Sequence, residues 1–289
     1  MKQMKYVKAE DRVEAPADKS NEEAFDLKPL LGTWVNTNSA TRGMGKVILT
    51  ARGSNLNVRV FGLSDPSAGD WGEIKADSVY GNSLTSGQAT AFTASYGFDF
   101  RHTDLMANLS QGLLILAAFN TFSDGSGRSN YFAREFFHRW NGDSNGGDRA
   151  MGSLARMGAE EQPTAEAPKP SAVEVGPLLG SWVNTNGGTR GITKVVFGIK
   201  EGKFVARLFG VCDPSPCDWG EVGAHPFARD AGSSELAGIS LSYDFGFMET
   251  RMQAHVKQGV LVIAKFDHFR DDSGRSNSFS REFFYRPDA

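Results

Sequence analysis

The chain has 289 residues, of which 40% are hydrophobic and 22% are charged, and its formal net charge is −3. This length and composition predict a water-soluble protein with two modest hydrophobic cores. The slightly acidic balance excludes the basic face that nucleic-acid-binding proteins carry, so we expect no nucleic-acid partner. No segment reaches the roughly 18 apolar residues of a membrane-spanning helix, so no membrane span is expected.

Residues 1–28 mix Lys, Glu and Asp and lack the apolar run of a signal peptide. They are predicted to form a disordered tail. Because no leader or anchor is recognised, the predicted location is cytoplasmic.

The next stretch of the chain occurs twice. Pro29 to Asn38 returns as Pro177 to Asn186 at an offset of 148, and the offset becomes 147 by Ser95 and Ser242. A repeat of this length predicts two tandem domains, at 29–140 and 177–289. Residues 141–176 are rich in Gly, Pro and polar residues and are predicted to form a flexible linker.

Within each copy, apolar residues alternate with polar ones, and turn residues interrupt the pattern. This alternation predicts antiparallel strands. In the first copy the strands are expected at residues 33–38, 45–51, 56–63, 71–77, 89–96, 100–109, 113–122 and 129–139. Eight sequential strands favour an up-and-down barrel, because closure removes exposed edges. The predicted fold is all-β, with two tandem eight-stranded antiparallel barrels that can pack on each other; a homo-oligomer is left open.

Side-chain alternation also predicts which residues face the interior. On the strand at 100–109 the expected interior residues are Thr103, Leu105, Ala107 and Leu109, and the expected exterior residues are His102, Asp104 and Asn108. On the strand at 113–122 the expected interior residues are Ile115, Ala117 and Phe119. Ala118, which the second copy replaces by Lys265, is expected outside.

The cysteines are Cys212 and Cys217, five residues apart around two prolines. This spacing allows a small disulfide loop, whereas a cytosolic location favours two thiols, and both alternatives stay open. The first copy has Ser64 and Gly69 at these positions, which argues against a metal site common to both copies. No phosphate-binding loop, dinucleotide fingerprint or metal-ligand spacing occurs, so no cofactor and no metal are expected.

Each copy begins with a short motif, Leu31-Gly32-Thr33-Trp34 and Leu179-Gly180-Ser181-Trp182. The motif resembles the Gly-x-Trp that opens the first strand of calycins, the lipocalin, fatty-acid-binding and avidin-like barrels. The resemblance implies that Trp34 and Trp182 close one end of the barrel and stack on a basic residue of the last strand, Arg139 or Arg286. It also implies a small-molecule ligand at the opposite end. The Cys-x-Pro-x-x-Cys-Asp-Trp-Gly stretch resembles a recurring pattern in bacterial proteins.

Identity between the copies clusters at alternate strand connections, which lie at one rim of an up-and-down barrel. This rim lies opposite Trp34 and is the candidate ligand mouth, although turn geometry alone could also retain its glycines. The candidate ligand-binding residues are Asn36, Trp71 and Tyr96, with Asn184, Trp219 and Tyr243 in the second copy.

Two charged pairs are expected to point into the barrels, Arg59 with Glu73 and Arg207 with Glu221. Buried charges are costly unless paired, so each pair either binds internally or addresses a ligand. In Arg134-Glu135 and Arg281-Glu282, neighbouring residues face opposite ways, and the sequence leaves open which one points in.

Three functions fit these patterns. The leading one is binding or carriage of a small, largely apolar molecule in a barrel cavity. The alternative is a cofactor-free isomerase or cyclase of a biosynthetic pathway, in which Glu73 and Glu221 transfer protons and Arg59 and Arg207 assist. A structural or protein-interaction module is the third.

Overall fold

The structure is a computed structural model that describes residues 25–62, 69–142, 172–212 and 215–287. Most of the predicted tail and linker therefore lie outside the described residues. The described part is all-β: it has no α-helix, only a 3₁₀ turn at Gly176–Leu178. No helix in these ranges is long and apolar enough to span a membrane.

Each repeat has nine described strands rather than the eight predicted, because the fourth connection contains a short extra strand. The first repeat comprises β1 (Gly32–Asn36), β2 (Met44–Arg52), β3 (Asn55–Gly62), β4 (Asp70–Lys75), β5 (Ser78–Tyr80), β6 (Ala91–Phe98), β7 (Arg101–Ser110), β8 (Leu113–Phe122) and β9 (Tyr131–Arg139).

The second repeat has the same order. Its strands are β10 (Gly180–Asn184), β11 (Ile192–Lys200), β12 (Lys203–Gly210), β13 (Cys217–Gly223), β14 (His225–Ala228), β15 (Leu236–Asp244), β16 (Met248–Lys257), β17 (Val260–Phe269) and β18 (Ser278–Tyr285).

Sequential strands pair antiparallel, and the first strand of each repeat also pairs with the last. β1 lies between β2 and β9, and β10 lies between β11 and β18. Among the described residues no ladder joins β4 to β5 or β13 to β14. The described strands form one sheet that is not closed, and the two closed eight-stranded barrels that we predicted are not confirmed.

Each repeat has its own apolar core on the concave side of its sheet. The core of the first repeat includes Trp34, Val58, Phe92 and Phe137, and that of the second includes Trp182, Leu208, Ile263 and Phe284. Burial of these side chains supplies the main favourable term in the free energy of folding.

A third core lies between the repeats and is shared by both. Its buried residues include Phe119 and Phe132 from the first repeat and Phe227 and Phe266 from the second. The backbone contacts across this seam are reciprocal, since Gly81 bridges to Ser278 and Ala228 bridges to Tyr131. Each pair maps onto the other through the repeat offset, so the two halves are related by approximate two-fold symmetry.

The shared core corrects our assignment of strand faces. Thr103, Leu105 and Ala107 face the interior as predicted. On β8, however, Leu114, Leu116 and Ala118 face the interior, whereas Ala117 and Phe119 pack in the core between the repeats. Asn108, predicted to face water, is only 1% exposed. Both faces of these strands are buried, so the polarity pattern could not distinguish them.

The end of each repeat that carries Trp34 or Trp182 has the arrangement predicted for it. The Trp34 Nε1 donates to the Leu30 carbonyl at 2.8 Å, and the Arg139 guanidinium lies 4.7 Å from the indole centre. Trp182 and Arg286 repeat this contact at 4.7 Å. The predicted Trp–Arg contact is therefore confirmed in both copies.

The cysteine alternatives are resolved in favour of a disulfide. Cys212 and Cys217 are bonded to each other, with Cα atoms 5.3 Å apart. Structural disulfides persist mainly in oxidising compartments. The cytoplasmic location remains a prediction, and this bond does not favour it.

Candidate functional site

The matched rim of each repeat is held by a partly buried glutamate. Glu135 Oε2 accepts from the Asn36 amide at 3.1 Å and from the Met44 backbone N–H at 2.9 Å, and its Oε1 accepts from the Thr41 hydroxyl at 2.9 Å. Asn184, Thr189 and Ile192 surround Glu282 in the same way, at 2.7, 2.9 and 3.1 Å. The glutamate of each Arg-Glu couple is therefore the residue that points into its own repeat.

This arrangement uses the polar atoms of the predicted ligand residue Asn36. Its amide also donates to the Met44 carbonyl at 2.7 Å, and its Oδ1 accepts from the Asn38 N–H at 2.8 Å. Asn184 repeats both contacts. These side chains fix the β1–β2 and β10–β11 connections, which accounts for their identity in the two copies.

Burial raises the pKa of Glu135, while its hydrogen bonds from Thr41, Met44 and Asn36 oppose the shift. The carboxylate also explains a matched glycine, because a Cβ on Gly43 would overlap Glu135 Oε1. Gly191 stands in the same relation to Glu282. Close approach of the side chain, rather than a turn angle, requires glycine at these positions.

The predicted aromatic ligand residues pack against each other. Trp71 meets the Tyr96 ring edge-on at 5.4 Å, and Trp219 meets Tyr243 at 5.7 Å. The Tyr96 hydroxyl donates to backbone carbonyls of its own repeat: its oxygen lies 2.9 Å from the Val58 carbonyl oxygen and 3.1 Å from the Gly72 carbonyl oxygen. The Tyr243 hydroxyl lies 2.8 Å from the Gly220 carbonyl. These rings stiffen the rim, and burial raises the pKa of Tyr96.

The four candidate catalytic residues lie on the outer face, so our prediction that they point into the barrels is wrong. Arg59 forms a bidentate ion pair with Asp70, and Arg207 does so with Asp218. Glu73 pairs with Arg52 at 2.5 Å.

Glu221 pairs with Lys200 at 2.9 Å, on the same outer face. Val58 and Val60 occupy the interior positions of β3, which places Arg59 between them outside. Leu56, Val58 and Val60 form the apolar series of this strand, and that signal was present in the sequence.

A β-bulge accounts for the register of these charges. Arg59 lies opposite Glu73, but Phe61 lies opposite Asp70, so β4 has one more residue than β3 between the two pairs. Gly72, with φ +82°, supplies the left-handed backbone that the bulge uses. The second repeat has the same shift between Arg207 and Phe209.

A pocket of about 670 Å³ lies at the matched rim of the second repeat. Its apolar wall includes Val211, Trp219, Met248 and Phe269. Of the candidate residues in this repeat, Trp219 lines the pocket, whereas Asn184, Arg207, Glu221 and Tyr243 are not among its lining residues.

A buried ion pair lies inside this pocket. Lys265 pairs with Asp267, and their side chains are only 14% and 7% exposed. The Thr250 hydroxyl donates to the other carboxylate oxygen of Asp267 at 2.7 Å. Lys265 lies opposite Met252, a residue of the interior core, so it faces the interior rather than the exterior as we predicted.

The first repeat contributes the cover of this pocket. Asn82, Ser83 and Leu84, which follow β5, are among the lining residues. The Ser276 N–H donates to the Leu84 carbonyl at 2.8 Å, and the Gly81 N–H donates to the Asn277 carbonyl at 2.9 Å. The site is therefore built from both repeats.

The pocket lining carries more cations than anions. The lining cations are Arg190, Lys265, Arg275 and Arg281, and the anions are Asp267 and Glu282. Glu282 is fully engaged by its three donors, and Arg275 is bound to Asp271 at 2.6 Å. No cluster of three or more potential metal ligands occurs in the described ranges.

No protein-family model matches the chain, and a search of curated proteins finds no similar sequence.

Sequence reasoning missed Glu282, Lys265 and Asp267 as residues of the rim. The replacement of Ala118 by Lys265 was the available signal, because a lysine that replaces alanine on an otherwise apolar strand indicates a special environment. The alternation of side chains predicted that this position faces the exterior, so the replacement did not indicate an interior site.

Proposed function

We propose that this protein binds a small, largely apolar molecule at the rim of its second repeat. The observation that carries the proposal is the pocket of about 670 Å³, which combines an apolar wall with a few buried polar groups. Ligand sites usually have this composition and a volume of about 300 to 1,000 Å³.

Two further observations support a lipocalin-like arrangement of each repeat. The pocket lies beyond the end of β10, whereas Trp182 and Arg286 close the side from which β10 begins. Both repeats also curl so that the first and last strands pair. On this proposal each repeat is a barrel with one closed end and one ligand-accessible end.

The alternative of an isomerase or cyclase has less support. It depends on a proton-transferring glutamate in the cavity, and Glu73 and Glu221 lie on the outer face in ion pairs. No other observation favours a reaction at these residues, so binding is the function that we propose.

The test is binding of a neutral solvatochromic dye, Nile red, to the full chain. Ser280 lines the pocket, and Ser280→Phe should fill it and abolish most of the fluorescence increase. The matched control is Ala133→Phe, the equivalent change in the first repeat, with folding of both variants checked by circular dichroism. Equal dye binding by the wild type and a folded Ser280→Phe variant would contradict the proposal.

A further inference from the structure

The pocket of the second repeat differs from the equivalent place in the first by a buried charge pair. Lys265 and Asp267 occupy the positions of Ala118 and Asn120. A buried ion pair seldom adds net stability over a neutral pair of similar size. Its presence in one copy therefore calls for a reason other than folding.

Lys265 has donors left over for a ligand. An ammonium group has three N–H donors. The contact that Lys265 makes in the described part of the chain is with Asp267, whose other oxygen is taken by Thr250. Lys265 is one of the residues that line the pocket, and its side chain is 14% exposed.

Arg190 adds a second cation at the pocket entrance. It is part of the β10–β11 connection and lines the pocket, and its side chain makes no hydrogen bond or ion pair within residues 25–62, 69–142, 172–212 and 215–287. The nearby acid Glu282 is already bound by Asn184, Thr189 and the Ile192 N–H.

We propose that the ligand of this pocket is an amphipathic organic acid whose carboxylate-type group is bound by Lys265 and Arg190. Its apolar body lies along Trp219, Met248 and Phe269. This inference rests on the proposed binding function and adds the chemical class of the ligand. Hydrogen bonds between ionised partners are the strong ones, so the two cations select the acid over a neutral analogue.

The experiment compares decanoate with decan-1-ol on the full chain at pH 7.5 by displacement of Nile red. The two probes share an apolar body, and decanoate is ionised at this pH because carboxyl groups titrate near pH 4 to 5. Decanoate should bind at least about tenfold more tightly, as expected for a hydrogen bond to a charged group.

The matched variant replaces Lys265 and Asp267 by the residues found in the first repeat, as the double change Lys265→Ala with Asp267→Asn. Both charges leave together, so no buried charge is stranded. The variant should lose the preference for decanoate while still binding decan-1-ol. Arg190→Gln should weaken decanoate binding severalfold, since it removes the second cation.

The outcomes separate the two proposals. Equal affinity for decanoate and decan-1-ol would contradict the proposal that the ligand is an acid, but not the proposal that the pocket binds a small molecule. A preference that survives in the double variant and in Arg190→Gln would overturn the assigned residues. Failure of both probes to bind the wild type, with no binding of Nile red, would overturn the proposed function itself.

Discussion

The rims of the two repeats are built on the same supports but present different chemistry. Glu135 and Glu282 accept the same three hydrogen bonds from their connections. Across the interior, the first repeat has Ala118 and Asn120 where the second has Lys265 and Asp267. The shared residues hold the backbone, and the differing ones give the rim of the second repeat a charged pair that the first repeat lacks.

This comparison reverses the inference we drew from identity between the copies. Asn36, Tyr96 and Gly43 match their counterparts because internal hydrogen bonds and close contacts require them. A residue whose polar atoms are all engaged inside the protein has little left for a ligand. The proposed site therefore rests on residues that differ between the copies rather than on residues that match.

The largest expected effect is at the core between the repeats, where the two halves depend on each other. Phe266 is fully buried there, and Phe266→Ala should lower the free energy of unfolding by about 3 to 5 kcal/mol. Urea denaturation of the full chain measures it. Phe100→Ala is the control, because Phe100 is 42% exposed and its loss should cost about 0.5 kcal/mol or less. A small effect at Phe266 would mean that the repeats fold independently.

The next effect concerns His255, which occupies the position of Asn108 in that core. Burial, together with Arg134, Arg281 and Lys257, lowers the pKa of His255 to about 4. The folded protein thus binds fewer protons than the unfolded chain between about pH 4 and 6.5, so stability is lost as the pH falls through this window.

The variant His255→Asn should reduce that loss, by at most about 3 kcal/mol at pH 4. Chemical denaturation at pH 4.5 and 7 measures the difference. His102→Asn is the comparison for loss of an exposed imidazole, because His102 lies at the surface beside Asp104. An identical pH dependence of wild type and His255→Asn would show that this histidine titrates normally.

The hydrogen bonds of Glu135 and Glu282 can be disrupted by substituting the glycines that these side chains contact, Gly43 and Gly191. A Cβ on Gly191 would overlap Glu282, so Gly191→Ala should cost about 1 to 3 kcal/mol by displacing a partly buried, hydrogen-bonded carboxylate. Gly188→Ala is the control, because a Cβ there would meet only Asn186 Oδ1, at an ordinary contact distance of 3.6 Å, and the first repeat has Ala40 at this position. Thermal unfolding compares them, and equal melting temperatures would mean that the support carries no stability.

The smallest effect is expected at the outer-face glutamates. Glu73 pairs with Arg52, whose side chain is 73% exposed, and such pairs contribute about 0 to 1 kcal/mol. Glu73→Gln combined with Glu221→Gln should therefore leave both stability and Nile red binding nearly unchanged. Loss of dye binding in a folded double variant would return these residues to the candidate site.

The sequence predicted more of the fold than of the site. The internal repeat and the all-β class follow from local patterns and are present in both copies, whereas the Trp–Arg contact at one end was implied by the family resemblance of the Gly-x-Trp motif. The faces of β3 and β8 were misassigned for two different reasons. On β3 the apolar residues Leu56, Val58 and Val60 mark the interior face, and our prediction placed Arg59 there instead. On β8 both faces are apolar, so alternation alone cannot tell which face meets the core of its own repeat.

Sequence by itself thus determined most of the strands and that the chain folds as two like halves, because strand propensity and the repeat are local properties. It missed the short strands β5 and β14. Tertiary structure decided that Phe119 and Phe266 join one shared core and that the Asn36 amide is hydrogen-bonded within its own repeat. It also placed Lys265 beside Asp267 inside a pocket covered by the other repeat. These outcomes depend on contacts between residues distant in sequence, which no local pattern records.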